Sequence, residues 1–292
     1  MDAPAAPPAV PAIPSSLTSA PAIPAMYSRS VGSFMEDILA AARDEHISIS
    51  TGGDISPEAA ATEDVPCYIA PRELPDGTQL HNYRVLRTIG SGGFGVTYLA
   101  KESMLNRTVV IKENFPNSIC YRHAETLDVC LHDPETGQEG AEWARSNFLR
   151  EVRILATLDH PCIAKVYSYF EEHQTAYYAV EYINGISLAA LAAQYSQSGT
   201  PIPQSALFGL MVRLLDAFDY LHSRNLLHRD IKPDNILITR TGLPVIIDFG
   251  AARESYGDLT SSMVETPGFS PSEQSTPKGN MGPWTDLYAF GA

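Results

Sequence analysis

The stretch His228-Arg229-Asp230-Ile231-Lys232-Pro233-Asp234-Asn235 sets a carboxylate, an ammonium and a carboxamide on one short segment, and eighteen residues beyond Asp230 comes Asp248 in Asp248-Phe249-Gly250. Asp230 can accept a hydroxyl proton, Asn235 can ligate a metal, and Lys232 can neutralise charge that develops on a phosphoryl group in transit. Asp248 follows the apolar run Val245-Ile246-Ile247 and precedes a flexible glycine, so its carboxylate is presented at a strand end. That placement suits a magnesium ion shared with phosphate oxygens. Far upstream, Gly90-Ser91-Gly92-Gly93-Phe94-Gly95 fits G-x-G-x-x-G, in which absent side chains let backbone N–H groups approach phosphates. Lys112 ends an apolar strand seventeen residues after Gly95 and points a cation across the sheet toward phosphates held under that turn. Glu151, in Phe148-Leu149-Arg150-Glu151-Val152, is placed on the next helix to pair with the Lys112 ammonium.

These groups need a scaffold, and the periodicities supply one. Alternation begins at Tyr83-Arg84-Val85-Leu86-Arg87-Thr88-Ile89 and resumes at Val96-Thr97-Tyr98-Leu99-Ala100, so the glycines join two strands. A dinucleotide-binding turn would instead lead into a helix. Thr108-Val109-Val110-Ile111-Lys112 is a third strand, residues 114–140 read as a long polar loop, and a helix follows with Phe148, Val152, Leu155 and Leu158 on one face. Val166–Phe170 and Tyr177–Tyr182 give two more strands. After Asn184-Gly185 the pattern turns helical, chiefly over Ala206 to His222. Strands first and helices after imply an α+β fold in two lobes.

Composition bounds the partners. The formal charge of −14 disfavours a broad basic surface for nucleic acid or anionic membrane, and residues 1–82 carry 11 acidic against 3 basic side chains, more than half of that excess. Residues 3–24 are mostly Ala and Pro and read as a linker or disordered tail, within an acidic leader expected to span 1–82. Phe34, Met35, Ile38, Leu39 and Ala42 recur at helical spacing and predict a short amphipathic helix inside it. Cys67, Cys120, Cys130 and Cys162 form no CxxC pair, which reads as reduced thiols. No secretory signal or membrane-length apolar run is found in the sequence, so a cytoplasmic location is expected.

Together these motifs resemble the eukaryotic-type protein kinase family, in their family order, from about Tyr83 to Ala292. The resemblance implies a β-rich N-lobe over 83–183 and a mainly helical C-lobe from 184, incomplete at 292. It implies ATP as phosphate donor, Mg2+ (or Mn2+) as metal, and Ser or Thr hydroxyls on proteins as acceptors. By that resemblance Lys112 binds the α/β-phosphates with Glu151 as its partner, Asp230 is the catalytic base, Lys232 assists, and Asn235 and Asp248 hold the metal. Val180 matches the residue that gates the adenine pocket, the backbone of Glu181 and Ile183 would bond adenine, and Leu237 would lie beneath it. Thr97 and Val110 stand where Val and Ala are usual in the nucleotide slot. Leu155, His228 and Phe249 match part of a stacked hydrophobic column. Thr266-Pro267-Gly268, with Lys232, places the chain in the Ser/Thr branch, and Thr260, Ser261 and Ser262 are the expected autophosphorylation candidates. The Leu74–Thr78 and Lys112–Pro116 segments look more like bacterial members. Asp286 matches the aspartate that anchors the catalytic loop, while Pro271-Ser272-Glu273 replaces Ala-Pro-Glu, keeping the Glu but altering the turn before it; with the later C-lobe helices expected to be missing, Glu273 would lack the distal Arg that pairs with it in the family. The helix at 206–222 is expected to lack part of its apolar cover. Two other classes compete: a non-catalytic nucleotide-binding scaffold, and a small-molecule phosphotransferase, which tends to lack the Lys232-Pro233 pair.

Overall fold

The computed structural model describes residues 69–254, 266–276 and 279–292. Its centre is a six-stranded antiparallel sheet in the order β2-β3-β4-β5-β9-β8. The strands are β1 (Ile69–Ala70), β2 (Gln79–Leu80), β3 (Tyr83–Ser91), β4 (Gly95–Glu102), β5 (Thr108–Asn114), β6 (Cys120–His123), β7 (Val129–Leu131), β8 (Val166–Glu172) and β9 (Thr175–Glu181). Both β4 and β5 alternate between half-buried and buried positions. Since successive side chains point to opposite faces, Val96, Tyr98, Ala100, Val109, Ile111 and Glu113 share one face. Thr97, Val110 and Lys112 share the other, with Thr97 directly opposite Lys112 and Val110 opposite Val180.

The face carrying Glu113 is covered by segments that the composition assigned elsewhere. Residues 69–82, read with the leader, join the folded body: β2 pairs with β3, and Leu74 and Leu80 are fully buried beside Tyr83, Tyr98 and Phe115. Burial of each such leucine is worth about 1.5–3 kcal/mol. The 114–140 stretch is not one loop either. Cys120–His123 and Val129–Leu131 form a hairpin, β1 adds to it as a third strand, and the helix that follows already starts at Pro134. Polar composition hid this hairpin because its partners, not its own alternation, define it.

Under this cover lies a buried ion pair. Arg122 Nη2 donates to both carboxylate oxygens of Glu113, at 2.9 and 2.7 Å, with both side chains inaccessible to solvent. The remaining capacity is met by Tyr98 Oη and Tyr177 Oη donating to Glu113 at 2.6 Å each, and by Arg122 donating to the carbonyls of Arg72 and Leu127. Burial pulls the Arg122 guanidinium down, but the Glu113 carboxylate lifts it above its ordinary range. Every charge here is paired and hydrogen-bonded, the condition on which buried ions are tolerated.

Helix α1 (Pro134–Ala156) is started by Asp133, whose side chain accepts from the Glu135 N–H, and by proline at its first position. It sets Val152 and Leu155 into a core shared with Tyr178, Val180 and Phe249. Beyond β9 the chain enters a second, mainly helical body: α2 (Leu188–Ser198), capped by Ser187 and ended by Gly199 at φ 65°, then α3 (Gln204–His222). Strand β10 (Gly185–Ser187) precedes α2 and pairs with β12 (Ile236–Thr239), which also pairs with β13 (Pro244–Ile246); the short pair β11 (Leu226–Leu227) and β14 (Arg253–Glu254) and helix α4 (Pro283–Gly291) also belong to this body. Helix α3 buries Leu210, Leu214, Phe218 and Leu221 and leaves Leu207, Phe208, Val212 and Leu215 exposed. Residues 34–42, Cys67 and the hydroxyls at 260–262 lie outside the described residues. Among the described residues no helix is long and apolar enough to cross a membrane.

Arg122→Met should lower the stability of this sheet by about 3–5 kcal/mol in urea unfolding, because Glu113 stays buried without its counter-charge. Adding Glu113→Gln, whose amide oxygen still accepts from the two tyrosines, should recover part of that loss.

Candidate active site

The glycine turn sits between β3 and β4, with the Gly92 N–H donating to the Gly95 carbonyl at 2.9 Å. A Cβ at Gly95 would overlap the Glu113 carbonyl oxygen, so only glycine lets the turn lie this close to β5. A Cβ at Gly92 or Gly93 would meet open space, so what glycine preserves there is room beside the backbone. Gly90 pairs with Thr97, Ser91 and Phe94 are exposed, and the Phe94 ring lies 6.1 Å from that of Trp143 on α1.

Lys112 joins the two bodies. Its Nζ lies 3.1 Å from Glu151 Oε1 on α1 and 2.9 Å from Asp248 Oδ1 beyond β13. Burial alone would lower the Lys112 ammonium, but Glu151, Tyr178 and Asp248 outweigh it and hold it well above its ordinary value. Sequence reasoning missed Tyr178. It lies opposite Lys112 in the β5–β9 register, and its hydroxyl donates to Glu151 Oε1 at 2.6 Å. Burial, followed by the Glu151 charge, raises its phenol far above the usual range, which keeps it a donor. The register that puts Tyr178 there comes from strand pairing, which no motif reports.

Asp230, Lys232 and Asn235 converge. Lys232 Nζ is 2.8 and 3.1 Å from the Asp230 oxygens, Asn235 Nδ2 donates to Asp230 Oδ2 at 2.8 Å, and Thr266 Oγ1 donates to Oδ1 at 2.7 Å. The four acceptor sites of that carboxylate are therefore engaged, and an incoming hydroxyl would have to displace one of these donors. Asp286, fully buried on α4, accepts from the N–H groups of His228 at 3.0 Å and Arg229 at 2.8 Å. Arg229 needs that support, since its φ of 67° lies in the left-handed region disfavoured for an L side chain. Gln274 adds a bond to the Arg229 carbonyl, and Glu273 accepts from Thr285 Oγ1 at 3.2 Å. The His228 imidazole is buried, which lowers its pKa and keeps it neutral; it meets the Phe249 ring edge-on with centroids 4.6 Å apart. Leu155 belongs to the same core cluster as Phe249.

Positions expected around a base fall on the Lys112 face of the sheet or against the adjoining core. Thr97, Val110 and Val180 share the Lys112 face, and Leu237 on β12 is partly buried against the same core. The Glu181 N–H is committed to the Lys165 carbonyl at 2.8 Å, so a base contact at Glu181 would have to use its carbonyl, and Ile183 follows in a buried position.

Unobstructed backbone at two glycines, a strand lysine clasped by a helix glutamate, and an aspartate–lysine–asparagine loop beside Asp248 are parts that suit a phosphotransferase. The protein kinase domain model matches residues 83–292. The chain belongs to the protein kinase family. It is 36% identical over 225 residues to the serine/threonine-protein kinase PknA of Nostoc sp., covering 72% of this chain and 36% of that protein. It is 33% identical over 224 residues to serine/threonine-protein kinase C of Synechocystis sp., covering 72% and 38%. Among solved structures it is similar to the apo form of PpkA-294, with 36% identity, a TM-score of 0.65 and 76% of each chain covered. The chain spans little more than a third of the length of those two cyanobacterial relatives. Their bacterial source agrees with the resemblance carried by the Leu74–Thr78 and Lys112–Pro116 segments.

The site yields two predictions. Lys112 is the main cause that holds the Asp248 carboxyl down at about 2, against its own burial. A depressed carboxyl adds stability above its ordinary value of 3.8 and loses it as pH falls toward 2. In Lys112→Met the Asp248 resonance should titrate nearer its ordinary value in an NMR pH series, and that acid-side loss should shrink. Asp286→Asn keeps one carbonyl acceptor for two buried N–H groups, so it should cost about 1–3 kcal/mol in urea unfolding.

Proposed function

We propose that this chain is the catalytic region of a Ser/Thr protein kinase that transfers the γ-phosphoryl group of ATP to hydroxyls of protein substrates. The observation that carries the reading is the bridge from Glu151 through Lys112 to Asp248, which draws helix α1 and the segment after β13 to one cation beneath the glycine turn. Family members use ATP with a divalent metal, and the groups present fit that pair. Open space beside Gly92 and Gly93 suits phosphate oxygens. One carboxylate and one carboxamide, Asp248 and Asn235, suit a Mg2+ (or Mn2+) ion that takes its remaining ligands from phosphate and water. Strand pairing of residues 69–82 with β3 and β6 supports an N-lobe that includes the strap from residue 69 and runs to 183, and a C-lobe from 184.

In this reading the hydrophobic slot of Val110, Val180 and Leu237 holds adenine, the glycine turn covers the phosphates, and Lys112 binds their α/β oxygens. Asp230 orients the acceptor hydroxyl and takes its proton as the new O–P bond forms and the bond to the β-phosphate oxygen breaks, releasing ADP. Lys232 moves from Asp230 to the transferred group and offsets its charge. The metal supplies charge neutralisation across the phosphates. Most of the rate gain comes from positioning and electrostatics. Arg229, whose Nε is buried without a hydrogen-bond partner, is suited to meet a phosphate added at Thr260, Ser261 or Ser262. A reaction that consumes ATP, together with free thiols at Cys120, Cys130 and Cys162, favours the cytoplasm.

Asp230→Asn should lower radiolabel transfer from ATP to a protein acceptor by at least about 100-fold while nucleotide binding persists. Persistence of transfer in that variant would remove Asp230 from its role. Wild-type protein that binds ATP but labels no protein would move the chain to the scaffold class.

A further inference from the structure

Residues 72–74 cross the outside of the glycine turn and tie it down. Arg72 Nη2 donates to the Gly95 carbonyl at 3.1 Å and also to the Gly92 carbonyl. Ser91 Oγ donates to Glu73 Oε1 at 2.9 Å, and the Leu74 N–H donates to Tyr98 Oη at 3.1 Å. The tie is itself anchored: the Arg72 carbonyl accepts from Arg122 Nε at 2.8 Å, and the Arg72 guanidinium lies over the Phe115 ring, 5.6 Å from its centroid. From the exit of β5, the Asn117 N–H donates to the Gly93 carbonyl at 2.9 Å and the Phe115 N–H to the Phe94 carbonyl at 3.0 Å.

Four consecutive carbonyls, Gly92 to Gly95, therefore each accept a bond from the strap or from the chain leaving β5. No peptide bond here is cis, and in a trans peptide the C=O and the following N–H point in opposite directions. Holding the Gly92 and Gly93 carbonyls against these donors turns the N–H groups of Gly93 and Phe94 away from them. The strap lies with the Glu113 face of the sheet, and Lys112 lies on the other, so the freed direction is the one in which phosphates would sit. Glycine turns are otherwise pliable, and ordering one on binding costs affinity. A turn already pinned from outside avoids part of that cost.

We propose that the strap is a working part of the nucleotide site, with Arg72 as a positioning residue that holds the glycine turn in its phosphate-accepting shape. The proposal rests on the ATP reading above and deepens it. Recognition of the triphosphate depends on a side chain that lies before the segment matched to the kinase family, residues 83–292. Recognition of the base does not, because Val110, Val180 and Leu237 touch none of the strap's hydrogen bonds.

The test compares ATP·Mg2+ with adenosine, which lacks phosphates, by isothermal titration of wild type, Arg72→Ala and Arg72→Lys. Arg72→Ala should weaken ATP about tenfold and leave adenosine within about twofold, with Arg72→Lys between it and wild type. In protein phosphorylation assays the KM for ATP should rise by a similar factor with kcat less affected. Glu73→Gln, which weakens only the Ser91 tie, should give a smaller loss with the same bias, and serves if Arg72→Ala does not fold. Equal losses for ATP and adenosine, or no loss of ATP affinity, would overturn the proposal. Failure of wild type to bind either ligand would remove the nucleotide reading itself, and this proposal with it.

Discussion

The loop that carries Asp230 takes its shape from one buried carboxylate. Asp286 accepts from two successive backbone N–H groups of the loop, and between those bonds Arg229 adopts a left-handed backbone that costs an L residue about 1–2 kcal/mol. Hydrogen bonds to a charged acceptor contribute about 1.5–3 kcal/mol each, so the pair outweighs the strain it imposes. Asp230 follows directly, and Lys232, Asn235 and Thr266 gather on its carboxylate. Asp286 also meets His222 Nε2 at 2.8 Å, which ties α3 to the same anchor. A helix near the end of the sequence thus sets the geometry of a loop more than fifty residues earlier.

Lys112 performs the corresponding service between the two bodies. Its two carboxylate partners come from different elements, Glu151 from α1 and Asp248 from the segment after β13, and both reach it within hydrogen-bonding distance. Tyr178 fixes Glu151 from beneath, so the glutamate is held by two donors and not by a flexible ion pair alone. Apolar contact runs alongside, with Phe249 packed on His228 and sharing a core with Leu155. Asp248 has a left-handed backbone as well, at φ 64°, which a short polar side chain tolerates better than most. Strain, charge and packing coincide at the two aspartate-bearing loops, as is usual where a fold is bent to serve chemistry.

The sheet uses both of its faces. One presents Lys112 and Val110 to the site, while the other buries Glu113 with Arg122, Tyr98 and Tyr177 beneath the strap and the β6–β7 hairpin. Adjacent residues on one strand therefore belong to the proposed nucleotide site and to a buried polar network. The network's worth lies less in net energy, which desolvation erodes, than in geometry. Glu113 satisfies four hydrogen bonds only if hairpin, strap and sheet meet in one arrangement.

Much of this was legible in residue order. The strands from Tyr83 to Lys112, the glycine turn, the helix bearing Glu151, and the loops of Asp230 and Asp248 show in periodicity and in motifs, because local backbone preference and the chemistry of phosphate transfer constrain neighbours in sequence. Asp286 was legible too, though only through family resemblance. Residues 69–82 and 120–131 were not: their composition is that of linkers, and they fold because Leu74, Leu80 and Arg122 find partners in distant strands. Tyr178 and Arg72 escaped for the same reason, since a hydrogen bond between residues twenty or more positions apart leaves no periodic mark. The sequence alone determined which groups could do chemistry and on which kinds of element they ride. Tertiary structure alone decided which face each strand turns to the site and which donors hold the glycine turn, because register and burial are properties of paired elements and not of any one segment.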